Sequence, residues 1–234
     1  MYSYEINVGY SVTDEERTMT VPAILDCFQD AAIFEAENGK ITMDYLYDRH
    51  MAWLLSSWQI VFGRRPKLNE RIKITTFPYD FKGFLGYRNF TLTDVNGEIL
   101  VKAASIWSLV NTQKLCPTKL EQELIDGYEM CEKLQMDYAP RKIALIGSGE
   151  QKDILCVRRC QIDSNKHMNN AEYVRLAMEY LPEHATVQEL RVEYKKAAYL
   201  GDKLSAVVYM SENKCQVRLN DVDGNAYAIT EFII

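Results

Sequence analysis

The sequence predicts an α+β fold built twice over, each half a long helix wrapped by an antiparallel sheet. Three observations predict it. A strand, a helix and then four strand-like runs occupy residues 4–111, and the same order returns over residues 154–234. The two runs align residue by residue. Both carry one kind of hairpin turn, Asn96-Gly97 in the first half and Asp223-Gly224 in the second.

The elements follow in order. Tyr4 to Val12 alternates as a strand, and Thr20-Val21-Pro22 opens a helix with proline in its first turn. Ile24, Leu25, Phe28, Ala31 and Ala32 form its apolar face, and Asn38-Gly39 ends it. After a mixed segment (40–52) come strands at Trp53–Phe62, Arg71–Pro78, Gly86–Asp94 and Glu98–Asn111, with turns at Arg65-Pro66-Lys67 and Tyr79–Gly83. Leu120, Leu124, Tyr128, Cys131 and Leu134 have helical spacing and predict a helix in the connector. The second half predicts a strand at Ile154–Ile162, a helix over 170–181 stopped by Pro182, and strands at Val187–Lys196, Lys203–Met210, Lys214–Asp221 and Ala226–Ile234. A shift of 132 sets Trp58–Phe62 against Leu190–Tyr194, and a shift of 127 sets Asp94–Gly97 against Asp221–Gly224. Two copies make a duplicated domain, not a solenoid. The expected layout is a tandem (double) hotdog with residues 1–116 as the first half, 117–150 as connector and 151–234 as the second half.

Composition narrows the class. At 47% hydrophobic and 26% charged residues the chain reads as an ordinary globular protein. No apolar run approaches the roughly 20 residues of a membrane helix. The opening Met1-Tyr-Ser-Tyr-Glu-Ile6 lacks the basic start and apolar core of a signal peptide, which predicts a cytosolic protein. Cysteines 27, 116, 131, 156, 160 and 215 show neither CxxC spacing nor a histidine at metal-ligand distance, so they read as small hydrophobes and no metal or cofactor is expected. A net charge of −6 argues against nucleic acid as a partner.

The chemistry gathers at Asp163-Ser-Asn165-Lys-His167-Met-Asn169-Asn170, which runs into the second helix. Asn169 is its expected N-cap, with Glu172 completing a capping box. A carboxylate can deprotonate water or attack directly, an imidazole can carry a proton, and an amide can hold water or a carbonyl. The helix N-terminus adds N–H groups for developing negative charge. Taken singly, Asp163 and Asn165 are ordinary turn formers and His167 an ordinary hydrogen-bonder; the three together point to acyl chemistry. Aligning the helices by a shift of 148 sets Glu15, Arg17 and Met19 opposite them, so one active site per chain is expected. His50 and His184 read as surface residues. Trp53, Trp58 and Trp107 read as core or as the wall of an apolar cavity.

The run Asp163-x-Asn165-x-His167-x-Asn169-Asn170-x-x-Tyr173 resembles the signature of the acyl-ACP thioesterases, the plant FatA/FatB type and its bacterial relatives. Trp53-Leu54, Gly86-Tyr-Arg88, Asp94-x-x-Gly97-Glu98, Ala104-Ser105-x-Trp107, Asn111 and Glu193-Tyr194 extend the likeness over most of the chain. The resemblance implies hydrolysis of fatty acyl-acyl carrier protein, with Asp163, Asn165 and His167 catalytic. It also implies an acyl pocket in the first half, with Trp53, Trp107 and Asn169 as substrate-binding residues. The family's further Glu and Cys fall on Ala197 and Ala198, which excludes a cysteine nucleophile there; Glu193, about 13 Å along the strand from 197, is a poor substitute for the Glu. An acidic carrier protein needs a basic patch, for which Arg64-Arg65, Arg158-Arg159 and Lys195-Lys196 are the candidates. An acyl-CoA thioesterase, a hotdog dehydratase and a non-catalytic acyl-binding protein are the alternatives, and monomer and homodimer both fit the layout.

Overall fold

The computed structural model describes all residues 1–234. The chain divides into two units, Met1–Ser56 with Ile60–Tyr138, and Ser57–Gln59 with Ala139–Ile234. Residues 117–138 of the expected connector thus belong to the first unit and residues 139–150 to the second. No helix is long and apolar enough to cross a membrane.

The first unit begins with β1 (Tyr2–Asn7), a 3-10 turn (Tyr10–Val12), α1 (Val21–Asn38), α2 (Met43–Asp48) and β2 (Met51–Phe62). It continues with β3 (Arg71–Lys82), β4 (Leu85–Thr93), β5 (Ile99–Asn111), β6 (Cys116–Pro117) and α3 (Gln122–Asp126). Thr20 caps α1 by accepting the Ala23 N–H, as its sequence requires, and Gly39 closes it. The helix buries Ile24, Leu25, Phe28, Ala31 and Ala32 and packs on β1 and β3 of a sheet ordered β1-β3-β4-β5-β2. Phe28 meets Phe90 of β4 at 5.3 Å between ring centroids.

The second unit comprises β7 (Glu150–Cys156), a 3-10 turn (Arg159–Gln161), α4 (Asn170–Met178), β8 (Glu189–Tyr194), β9 (Lys203–Ser211), β10 (Lys214–Asn220) and β11 (Ala226–Ile233). Its strands are ordered β7-β9-β10-β11-β8, the permutation of the first unit repeated. Here α4 buries Ala171, Tyr173, Val174 and Ala177. The hairpin turns match bond for bond. Asp94 Oδ1 accepts the Asn96 and Glu98 N–H groups, and Asp221 Oδ1 accepts those of Asp223 and Asn225. Gly97 and Gly224 take φ of 84° and 82°, conformations that glycine adopts without steric cost.

Several expected boundaries move. The mixed segment holds α2, capped by the Thr42 hydroxyl. The turn expected at Tyr79–Gly83 is strand as far as Lys82, because a bulge between Pro78 and Asp80 absorbs the proline's missing donor. The connector helix expected from Leu120 to Leu134 is only α3. Beyond Gly127 the backbone bonds elsewhere, Cys131 N–H to the Pro78 carbonyl and Leu134 N–H to Asn89 Oδ1. The strand expected at Ile154–Ile162 stops at Cys156, since the Gln161 side chain accepts the Arg158 N–H and folds the chain into a turn. The helix expected over 170–181 ends at Met178; Tyr180 and Leu181 bond three residues back, a tightened last turn forced by Pro182.

Candidate active site

The loop before α4 is closed by an isolated bridge between Ile162 and Met168. Inside it Asp163 N–H donates to the His167 carbonyl (2.9 Å) and Lys166 N–H to the Asp163 carbonyl (3.0 Å), with Lys166 at a φ of 66°. The five residues from Asp163 to His167 therefore form a tight turn that brings the first and last side chains together. Asp163 Oδ1 accepts the Asn165 N–H at 2.8 Å, which leaves Oδ2 facing the imidazole. His167 Nδ1 lies 3.7 Å from Asp163 Oδ2 and 3.4 Å from the Met168 carbonyl oxygen. Such distances are beyond a good hydrogen bond. Asp163 and His167 are half-buried, and Asn165 is exposed at the tip. The predicted trio is thus brought onto one turn.

The turn is anchored from behind. Met168 N–H donates to the Ala198 carbonyl (2.8 Å), and Tyr173 Oη accepts the Ala198 N–H (2.9 Å). Burial, the largest influence on Tyr173, pushes its hydroxyl up to about 12, so it remains protonated. The Tyr194 hydroxyl donates to the Asn170 carbonyl and its ring meets Tyr173 edge-on at 5.7 Å. The sequence marks Tyr173 and Tyr194 through the family likeness alone; their task as supports for the loop is legible only from these contacts.

The capping box expected from Asn169 and Glu172 is half made. Asn169 Oδ1 accepts the Ala171 N–H at 2.8 Å. Glu172 instead binds Arg175 (2.9 Å) and Gln161 (3.2 Å), tying the 3-10 turn to the helix. Asn169 therefore works as a cap, and the Ala171 N–H it occupies is withdrawn from any oxyanion site.

The other expected residues lie as follows. Trp53 donates from Nε1 to the Tyr128 hydroxyl (2.9 Å) and stacks on Phe81 at 6.1 Å, within a cluster of Ile41, Leu46, Leu109, Leu120 and Leu124. Gly86 packs closely there, where a Cβ would come within 3.1 Å of the Trp53 and Phe81 rings. Trp107 donates to Ser105 Oγ at 2.7 Å. A nearby groove of about 680 Å³ is lined by Phe81, Leu120 and Ile125 among others. Glu193 is buried, accepting the Ile143 N–H and pairing with Lys195 (2.8 Å), a structural task. Among the cations, Arg64 is held bidentately by Glu70 and Lys196 by Asp221 at 2.7 Å. The Lys196 ammonium is the main reason that Asp221 titrates low, at about 2. Arg158 and Arg159 are exposed at the 3-10 turn that leads into the loop. His50 and His184 are exposed, as expected.

The internal alignment needs one correction. The two 3-10 turns (Tyr10 and Arg159), the two bridges (Thr13–Met19 and Ile162–Met168) and the two helix starts (Val21 and Asn170) all correspond by a shift of 149, not 148. Asp14, Glu16 and Thr18 therefore stand opposite Asp163, Asn165 and His167. The signal was present in the sequence, since this shift matches Asp14 to Asp163, Arg17 to Lys166 and Met19 to Met168.

Comparison with known proteins agrees with this architecture. Residues 1–128 match the acyl-ACP thioesterase N-terminal domain and residues 147–232 the acyl-ACP thioesterase C-terminal domain. The chloroplastic acyl-(acyl-carrier-protein) hydrolase FATB3 of Cuphea viscosissima is 24% identical over 228 residues, covering 91% of this chain and 54% of that protein. The chain spans about half the length of the curated relatives it matches. The acyl-ACP thioesterase of Bacteroides thetaiotaomicron has the same fold, with a TM-score of 0.91 at 20% identity over 99% of this chain and 96% of its own. The 12:0-ACP thioesterase of Umbellularia californica gives 0.85 at 16% identity over 99% and 96%. The fold is a double hotdog. Matched by these two domain families over nearly its whole length, the chain belongs to the acyl-ACP thioesterase family.

Proposed function

We propose that this chain hydrolyses the thioester of fatty acyl-acyl carrier protein, releasing a free fatty acid and the carrier's thiol. The observation that carries the reading is the turn itself, with Asp163 Oδ2 and His167 Nδ1 facing each other at its mouth. In this reading Asp163 acts on the thioester as base toward water or as nucleophile. Asn165 and His167 hold the water and the carbonyl, and the proton that leaves the water ends on the leaving sulfur. The acyl chain belongs to the first half, where the half-buried Trp53 and Trp107 supply apolar wall. A cytosolic setting is supported by the cysteine pattern of a protein kept reduced.

Thiol release from acyl-ACPs of C8 to C18, beside the matching acyl-CoAs, tests the reading. Wild type is expected to prefer the carrier-bound substrates, and His167→Ala to lose at least about 100-fold in kcat/KM. Turnover on CoA alone would assign the acyl-CoA reading, and binding without turnover the acyl-binding one.

The carrier is acidic and so is this chain, so docking needs a local cationic surface. Arg158 and Arg159 are the part of the expected patch best supported, since Arg64, Lys195 and Lys196 each hold a carboxylate. Arg158→Glu with Arg159→Glu is expected to raise KM for acyl-ACP about 10-fold at low salt and to leave a small thioester nearly unaffected. Equal effects on both substrates would reject this docking site.

A further inference from the structure

The duplication places a second copy of the active-site turn in the first half, with the same backbone bonds and different side chains at Glu16/Asn165, Thr18/His167 and Arg65/Ala197. Asp14 N–H donates to the Thr18 carbonyl and Arg17 N–H to the Asp14 carbonyl, as Asp163 and Lys166 do in the second half. Arg17 has a φ of 59°, against 66° at Lys166. Asp14 Oδ1 accepts the Glu16 N–H at 3.1 Å, the counterpart of the Asn165 bond. Met19 N–H donates to the Pro66 carbonyl, as Met168 N–H does to that of Ala198. Pro66 and Ala198 correspond by the shift of 132, so Arg65 corresponds to Ala197.

Arg65 closes the first turn. Its Nη1 donates to Asp14 Oδ2 at 2.9 Å and to the Met19 carbonyl at 3.0 Å. Partial burial would raise the Asp14 carboxyl, but the Thr18 N–H and the guanidinium together hold it below its ordinary value. In the second half the same two acceptors, Asp163 Oδ2 and the Met168 carbonyl, are approached by His167 Nδ1 and by no arginine. The two acceptor pairs therefore share one wiring and face different groups, a hydrogen-bonded permanent cation in one and an imidazole nitrogen at 3.4 and 3.7 Å in the other.

We infer that Ala197 is what keeps the second turn reactive, because it leaves the Asp163–Met168 acceptor pair to the His167 imidazole. Both acceptors face Nδ1, so Nδ1 carries the proton in the neutral ring and Nε2 is the atom presented for proton transfer. Arginine at this place ties up the carboxylate and cannot give up its proton, which makes the first turn a structural staple. The inference rests on the thioesterase reading for its consequence in catalysis, and on the geometry alone for the tautomer.

The test uses the full chain with ¹⁵N-labelled histidine and two substitutions. Long-range ¹H–¹⁵N spectra of wild type are expected to place the His167 proton on Nδ1; a dominant Nε2–H form overturns the inference. This readout needs no turnover, so it decides the point even for a chain that hydrolyses none of the thioesters tried. Ala197→Arg is expected to recreate the arginine staple, removing the tautomer preference at His167 and lowering hydrolysis at least about 100-fold without loss of melting temperature. Ala197→Met, of similar length and no charge, is expected to keep the Nδ1–H form and to stay within about 10-fold of wild type. Full activity in Ala197→Arg, or equal inactivity in both variants, would overturn it, since the effect would then be absent or steric.

Discussion

Asp163→Asn is expected to lower kcat for acyl-ACP hydrolysis by about 10³-fold, within the range that a positioned acid or base contributes. The argument is local. Asparagine keeps an oxygen for the Asn165 N–H, which at 2.8 Å holds the turn, so the fold loses nothing that the carboxylate supplied there. What disappears is the negative oxygen beside His167 and with it the acceptor for a proton from water. Stability should therefore change by no more than about 0.5 kcal/mol while turnover collapses. Parallel thermal melts and thiol-release kinetics check both halves of the statement. Near-normal turnover in Asp163→Asn would remove Asp163 from the mechanism.

The second large effect concerns stability in the first unit. Arg88 on β4 forms an ion pair with Glu35 on α1 and donates to Thr76 Oγ1 at 3.0 Å. Their side chains are only 11% and 14% exposed, so this pair sits where solvent screens it weakly. Arg88→Met is expected to cost about 3–5 kcal/mol, because it strands the Glu35 carboxylate in the interface of helix and sheet. The Met1 ammonium, 3.8 Å from Glu35, does not replace it, since its shorter contact is with Glu129 at 2.6 Å. Arg88→Met combined with Glu35→Leu should recover most of that loss, as removing both charges also removes the burial penalty. Urea unfolding of the two variants measures the difference. Strictly additive losses would mean that the pair is not coupled.

Much of the layout could be read from the chain because local chemistry and global fold agree there. Thr20 and Pro22 start α1, Gly97 and Gly224 turn the hairpins, and the strand order repeats as the aligned runs predict. Expectations failed where a backbone group finds its partner far away in sequence. Leu120 to Leu134 has helical spacing, yet Cys131 and Leu134 satisfy their N–H groups on β3 and β4, and a pattern of apolar residues carries no record of that. Glu172 is spaced for a capping box, but Arg175 and Gln161 offer its carboxylate stronger partners.

The candidate site divides along the same line. The sequence by itself determined which residues share the turn, since Asp163, Asn165 and His167 lie within five consecutive positions just before a capped helix. It determined the duplication, and with it that the first half lacks the imidazole. Only the tertiary structure decided what that turn can do. Whether a carboxylate is stapled by arginine or left to histidine depends on residue 65 or 197, in the loops that follow β2 and β8 some 30 to 50 positions away in sequence. Short-range spacing fixes side-chain order along the backbone, whereas charge balance at a site depends on every strand that folds against it.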